Sequence, residues 1–104
     1  MNPFRGEVPL TVNGHTHVMR LTLGALVAVE AERGPIPDLI ERLEAGRAEA
    51  NDVLSLLHAG LNAGGWTGEV ETLLQAEIEG GYLVAVQSAA LLLKRGFGLG
   101  EHND

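Results

Sequence analysis

The stretch from Asp52 to Leu61 constrains the fold more than any other part of this chain. Five apolar or small residues recur in it at i, i+3, i+4, i+7 and i+8: Val53, Leu56, Leu57, Gly60 and Leu61. This spacing places them on one face of an α-helix. Gly46 precedes the stretch and a Gly-Gly pair follows it, which is typical of helix boundaries. We therefore predict a central helix over about residues 49–63, on which the other elements pack.

Composition and charge restrict the class of protein. The chain has 104 residues, enough for one domain with a modest core. Its net charge of −7 disfavours binding to nucleic acid. Cysteine is absent, so disulfides and thiolate metal sites are excluded. We expect neither a signal peptide nor a membrane span, and predict a single domain over 1–104, ordered from about 5 to 97 with a flexible tail at 98–104.

Residues 7–22 carry the pattern of a β-hairpin. Asn13-Gly14 favours a type I′ turn, because both central residues of that turn need positive φ. A two-residue turn sets the cross-strand pairs Val12–His15, Leu10–His17, Val8–Met19 and Glu7–Arg20. One face is then apolar and must pack on helices, since two strands alone are marginally stable.

The segment from Leu23 to Arg33 is predicted to be the first helix, with Thr22 as its N-cap. Its apolar stripe is predicted to consist of Leu23, Leu26, Val27 and the anomalous Glu30. A lone carboxylate in such a stripe is costly to bury, so we interpret Glu30 as a residue at the edge of the stripe that either snorkels to solvent or pairs with Arg20, Arg33 or Arg42. A catalytic role is disfavoured, because the sequence offers no second acid or histidine beside it.

Three further helices are predicted around the central one. The first starts near Pro37-Asp38 and runs to Gly46. Another follows Thr67 as a candidate cap, carries Val70, Leu73, Leu74 and Ile78, and ends at Gly80-Gly81. The last runs from Tyr82 to about Arg95, with an apolar arc of Tyr82, Val86, Ala89, Ala90, Leu93 and Phe97. Together these predictions give an α+β, mostly α fold, with an N-terminal β-hairpin packed on a bundle of four to five short helices.

Few residues suggest chemistry. His15 and His17 project from the same side of a strand and could bind a metal with a third ligand, but no third ligand stands at a recognisable spacing. We therefore predict no metal site, and interpret both as hairpin residues at the edge of the core. Ser55 and Ser88 lack the G-x-S-x-G context of a hydrolase nucleophile. No catalytic or cofactor-binding residue is predicted.

The last helix has apolar residues on both sides. Val84 and Leu91 are seven residues apart, opposite the predicted core arc, and Leu92 flanks them. Such a helix is either enclosed by its own domain or presents a second face to a partner. Val84, Leu91 and Leu92 are therefore the candidate partner surface.

The order and spacing of several motifs resemble one known family. They are NPFRGEV, MRLTLGALVAVEAERG, EAGRAEANDVLSLLHAGLNAGG, EGG and LLLKRGFG. From about residue 2 to 98 the chain resembles the small tail proteins encoded in gene transfer agent clusters of alphaproteobacteria and in related prophages. These are grouped with phage tail assembly chaperones and are sometimes described as tail tube proteins. The positions that carry the resemblance are Arg5, Gly6, Glu7, Gly14, Arg20, Gly24, Leu26, Glu30, Gly34, Gly46, Asp52, Gly60, Gly80, Gly81, Phe97 and Gly98.

The resemblance implies a non-catalytic tail assembly chaperone that binds the tape measure protein, the tail tube protein or both, in the bacterial cytoplasm. The alternative is a structural, tube-associated component that stays in the particle. Tube proteins are usually dominated by β-structure, whereas one hairpin is predicted here, which favours the chaperone. No cofactor, nucleic acid or membrane is implied, and self-association stays open.

The chain departs from the family at one position. Family members often have Ser or Thr where Glu49 stands, three residues before Asp52, which is close to a capping box. Glutamate is a weaker N-cap. We therefore expect the first turn of the central helix to be its least secure part.

Overall fold

The structure is a computed structural model that describes residues 6–97, and this part of the chain forms a two-stranded sheet followed by five helices. The elements are β1 (Val8–Val12), β2 (His15–Met19), α1 (Leu23–Arg33), α2 (Ile36–Glu44), α3 (Ala50–Ala63), α4 (Val70–Leu74) and α5 (Gly81–Phe97). The predicted fold class is confirmed. The predicted tail at 98–104 and Arg5 lie outside the described residues.

The hairpin has the register that its turn chemistry predicts. Val8 pairs with Met19, Leu10 with His17 and Val12 with His15. Asn13 and Gly14 have φ values of 51° and 82°, as a type I′ turn requires. On the outer face, the hydroxyls of Thr11 and Thr16 are 2.8 Å apart. The predicted Glu7–Arg20 pair lies one position beyond the ends of the two strands.

The free edge of β1 is partly covered by residues 77–79, which the sequence does not predict. Ile78 forms an isolated antiparallel bridge with Val12. The Asn13 N–H donates to the carbonyl of Glu77 at 2.8 Å, and the Glu79 N–H donates to the carbonyl of Thr11 at 3.0 Å. These bonds satisfy backbone groups that an edge strand would otherwise leave to solvent.

Helix α3 is central, as predicted, and packs against α1, α5 and β2. All five residues of its predicted stripe are buried: Val53, Leu56, Leu57, Gly60 and Leu61. They meet the apolar side chains of the hairpin, Val8, Leu10, Val12 and Met19, in one core cluster. The periodic spacing of apolar residues therefore identified the buried face of α3 correctly.

Gly60 lies where α3 contacts both the hairpin and α5. A Cβ atom at this position would lie 2.6 Å from Leu92 Cδ2 and 3.2 Å from Met19 Cβ. The Gly60 carbonyl also accepts a hydrogen bond from the Arg20 N–H at 3.0 Å. Only a residue without a side chain lets the three elements meet at this distance.

The predicted stripe of α1 is wrong except at Leu26, which is partly buried against the core. The buried residues are Ala25 and Val29, whereas Leu23 is 78% exposed and Val27 is 62% exposed. The bounds of the helix and its cap are correct, since the Ala25 N–H donates to Thr22 Oγ1 at 3.1 Å. The face that packs is the one that carries Ala25 and Val29, and it lies against α3.

The other three helices differ from the prediction in their limits or in the residues that they bury. Helix α2 begins at Ile36, immediately before Pro37. Helix α4 is only five residues long and starts after Glu69 rather than Thr67. It ends at Leu74, because the chain beyond it places Ile78 against β1. In α5 the buried residues are Ala85, Ala89, Leu92 and Leu93, whereas Tyr82, predicted for the core arc, is exposed.

Candidate functional site

A buried carboxylate joins three helices near the start of α3. Asp52 is fully buried. Its Oδ1 accepts hydrogen bonds from Arg33 Nε and Arg42 Nη2, both at 2.8 Å. Its Oδ2 accepts from Arg42 Nε at 3.0 Å and from the Glu49 N–H at 2.8 Å. Four donors therefore surround one carboxylate, and Arg42 binds it in a bidentate manner through two hydrogen bonds.

We call this group the Asp52 cluster (Arg33, Arg42, Glu49 and Asp52), and its electrostatics favour the charged forms of Asp52, Arg33 and Arg42. The hydrogen bonds from Arg42 hold the pKa of Asp52 well below its usual range, against the opposing effect of burial. The hydrogen bonds to Asp52 raise the pKa of Arg33 and of Arg42. A carboxylate with such a low pKa cannot act as a general base near neutral pH, so the cluster is architectural.

The Asp52 cluster changes the expectation for the first turn of α3. Glu49 is the N-cap, as expected, and its N–H is satisfied by Asp52 at position N3. Glu49 Oε1 also accepts from Arg33 Nη2 at 2.9 Å. This turn is thus held to α1 and α2 by more bonds than the sequence indicates. Arg33 and Arg42, which the sequence led us to consider as partners for Glu30, bind Asp52 instead.

Glu30 has a structural role that its predicted position did not reveal. Its side chain is exposed, and its Oε2 accepts a hydrogen bond from the Ile36 N–H at 2.9 Å. The N-cap of α2 is Pro35, which has no side-chain acceptor. Glu30 therefore supplies the capping acceptor for α2 from the preceding helix.

A groove of about 440 Å³ between α1 and α3 contains Ser55, Glu32 and His58. These are the residue types of a catalytic triad, but their bonds do not form one. Ser55 Oγ donates to Glu32 Oε1 at 2.8 Å, while His58 Nε2 lies 2.9 Å from Asn62 Nδ2 and 3.3 Å from the Gly68 carbonyl. The serine is thus paired with an acceptor that holds it in place, not with the histidine.

Two histidines, His17 and His58, pack on Trp66. The rings of His17 and His58 both contact Trp66 edge to face, with centroids 6.4 and 6.2 Å apart. His15 is exposed beside the turn. Among residues 6–97, no group of three or more His, Cys, Asp or Glu side chains could hold a metal ion.

The candidate partner surface on α5 is placed only in part where a partner could reach it. Leu92 is fully buried and belongs to the core, so its inclusion was wrong. Val84 and Leu91 are half-buried, and Val84 lines a cleft beside β1. The seven-residue spacing of Val84 and Leu91 identified a second apolar side of the helix, but not how much of it the fold covers.

Large exposed apolar side chains instead surround the start of α5. Leu74 is 63%, Tyr82 56% and Leu83 66% exposed. Leu74 and Tyr82 border a cavity of about 200 Å³ between α3, α4 and α5. Of its lining residues only Asn51 is neither apolar nor aromatic. The apolar ones include Leu54, Leu57, Ile78 and Ala85. We call this the α3–α5 cavity. A second exposed apolar pair, Leu23 and Val27, lies one turn apart on α1.

The positions that carry the family resemblance lie mostly at structural points. Gly6, Gly14, Gly34, Gly46, Gly80 and Gly81 all have positive φ. The Glu7 carbonyl accepts from Arg95 Nη1 at 2.7 Å, Gly24 and Leu26 lie on α1, and Phe97 is the last residue of α5. Arg5 and Gly98 lie outside the described residues. That these positions form a structural set of the family stays a prediction.

A family model described as phage tail tube protein, GTA-gp10, matches residues 5–99 of the chain. No curated protein and no solved structure matches it significantly. Within the described residues, no helix is both long and apolar enough to cross a membrane. The family match spans both the Asp52 cluster and the α3–α5 cavity.

Proposed function

The chain belongs to the GTA-gp10 family of phage tail tube proteins, and on that premise we propose that it is a non-catalytic tail assembly chaperone. It is a component of a phage-type tail system, and its family is a structural one. The proposed role is to bind a tail protein, the tape measure protein or the tube protein, through apolar surface until assembly proceeds. Binding would take place in the bacterial cytoplasm.

The observation that carries this proposal is the exposed apolar surface on an acidic chain. Leu74 and Tyr82 border one cavity and Leu83 follows Tyr82 on α5; side chains of this size are seldom left exposed in a group without a partner. The net charge of −7 keeps such a protein soluble before it meets that partner. No Ser–His pair is formed in the α1–α3 groove, which supports binding rather than catalysis.

A second function is favoured by the description of the family itself, which names a tail tube protein. In that case the chain would remain in the particle as a tube-associated subunit. Against it, the strands of the described residues form a single hairpin, whereas tube proteins are usually dominated by β-structure.

Two measurements separate these functions. The first is co-expression with the tape measure protein encoded nearby, followed by affinity capture and a solubility assay. A chaperone should form a complex and keep the tape measure protein soluble; no complex and no gain in solubility would contradict the proposal. The second is quantitative mass spectrometry of purified particles, in which a chaperone should be absent and a tube subunit present in many copies.

A further inference from the structure

The α3–α5 cavity has the features of a binding site for an apolar anchor. Its walls are almost entirely apolar, and Leu74 and Tyr82 stand exposed at its border. A void of about 150 Å³ holds a benzene-sized group, so a cavity of about 200 Å³ accommodates a large apolar side chain. Aromatic residues beside such pockets often dominate the binding energy of an interface.

The chain segment that supplies the lining residues of the cavity carries acidic side chains and no basic ones. Residues 48–93 contain no Lys or Arg. The segment that forms one wall carries four exposed carboxylates, Glu69, Glu71, Glu77 and Glu79. Glu71 stands three residues before Leu74 on α4, and residues at this spacing lie on the same side of a helix. Apolar anchors and acidic surroundings therefore occur together.

From this charge pattern we infer that the α3–α5 cavity binds a basic, amphipathic helical segment of another tail polypeptide. This inference rests on the proposed function and names the chemistry of the partner. The apolar residues of the segment, spaced i and i+4, would enter the cavity beside Leu74 and Tyr82, and its Lys or Arg side chains would face the carboxylates. A second copy of this chain fits less well, because each copy carries a net charge of −7.

Three synthetic peptides of equal length test the inference. The first is a Leu/Lys amphipathic helix, the second has Glu in place of Lys, and the third has the composition of the first in an order without an apolar face. Each is titrated into the isotope-labelled full chain while its amide resonances are followed. The first should produce saturable shifts at Leu54, Leu57, Ile78 and Ala85, and the other two should not.

Variants locate the site. The double variant Leu74→Ala/Tyr82→Ala should weaken binding of the first peptide about tenfold or more. Glu71→Gln should weaken it less, and this loss should disappear at high salt. Leu23→Ala, which removes an exposed leucine from α1, is the matched control and should leave binding unchanged. Thermal unfolding of each variant should confirm that all remain folded.

The inference is wrong if the first peptide does not bind, if the acidic or reordered peptide binds as well, or if the shifts cluster at Leu23 and Val27. These outcomes are independent of the proposed function. A tape measure complex that is insensitive to Leu74→Ala/Tyr82→Ala would disprove the site and keep the chaperone. Peptide binding without any tail-protein complex would disprove the chaperone and keep the site.

Discussion

Two regions around α3, the Asp52 cluster and the α3–α5 cavity, differ in how completely their side chains are paired or covered within the fold. At its start, the Asp52 cluster joins α1, α2 and α3, and all four donors point at one buried carboxylate. Towards α4 and α5, the α3–α5 cavity is apolar and bordered by exposed Leu74 and Tyr82. A buried charge must be fully paired within the chain, whereas apolar surface can await a partner. The first region therefore serves the architecture and the second is available for binding.

The largest expected effect is at the Asp52 cluster. Asp52→Ala should lower the free energy of unfolding by about 3 kcal/mol, because it removes the acceptor of four hydrogen bonds and leaves Arg42 without its carboxylate partner. Urea denaturation measures this loss. Glu41→Ala, an exposed glutamate on α2, is the control and should change stability by about 0.5 kcal/mol or less. A loss for Asp52→Ala no larger than that for Glu41→Ala would mean that the cluster does not contribute to stability.

The pH dependence of stability tests the same region. The pKa of Asp52 is lowered in the folded state, so its contribution is fully present above the unfolded pKa of about 4 and is lost as the pH falls below that value. Urea denaturation from pH 7 to pH 2.5 should therefore show wild type and Asp52→Asn converging in stability at acid pH. A difference that stays constant over this range would exclude the linkage.

Gly60, where α3 meets the hairpin and α5, should be the next most sensitive position. Gly60→Ala forces a Cβ against Leu92 and Met19 and should destabilise the protein by about 1–3 kcal/mol. Gly24→Ala is the matched control on α1, since the Thr22 hydroxyl at 3.9 Å is the one atom of the described residues that its Cβ would meet within 4 Å. It should leave stability unchanged or raise it by about 0.5 kcal/mol. Calorimetric melting of both variants provides the comparison.

A smaller loss is expected at Glu30. Glu30→Ala removes the acceptor of the Ile36 N–H at the start of α2 and should cost about 1 kcal/mol. Glu30→Gln keeps an acceptor oxygen and should recover part of that loss. An unchanged melting temperature for Glu30→Ala would show that solvent replaces the capping bond.

The smallest effect on stability is expected at the α3–α5 cavity. Variants there test directly whether this region is free for binding or belongs to the core. Leu74→Ser and Tyr82→Ser should each change the free energy of unfolding by about 0.5 kcal/mol or less, because both side chains are exposed. Leu73→Ala, at the buried neighbouring position, should cost about 2 kcal/mol or more. Strong destabilisation by Leu74→Ser would mean that this surface belongs to the core.

The sequence by itself determined the features that depend on neighbours in the chain. The Asn13-Gly14 turn decided the register of the hairpin, because few residue pairs adopt two positive φ angles. The regular spacing from Val53 to Leu61 decided which face of α3 is buried. The Thr22 cap marked the start of α1. These signals are local, so one stretch of sequence contains all of each.

Only the tertiary structure decided the features that depend on distant partners. Helix α1 buries Ala25 and Val29 rather than Leu23 and Val27, because the position of α3 decides which face of α1 is covered. Ile78 pairs with β1 rather than extending α4, because the strand edge offers backbone hydrogen bonds. Asp52 gathers Arg33 and Arg42 from two other helices, and no spacing in the sequence encodes that meeting. Packing and the satisfaction of buried polar groups are properties of the whole fold, which is why local pattern missed them.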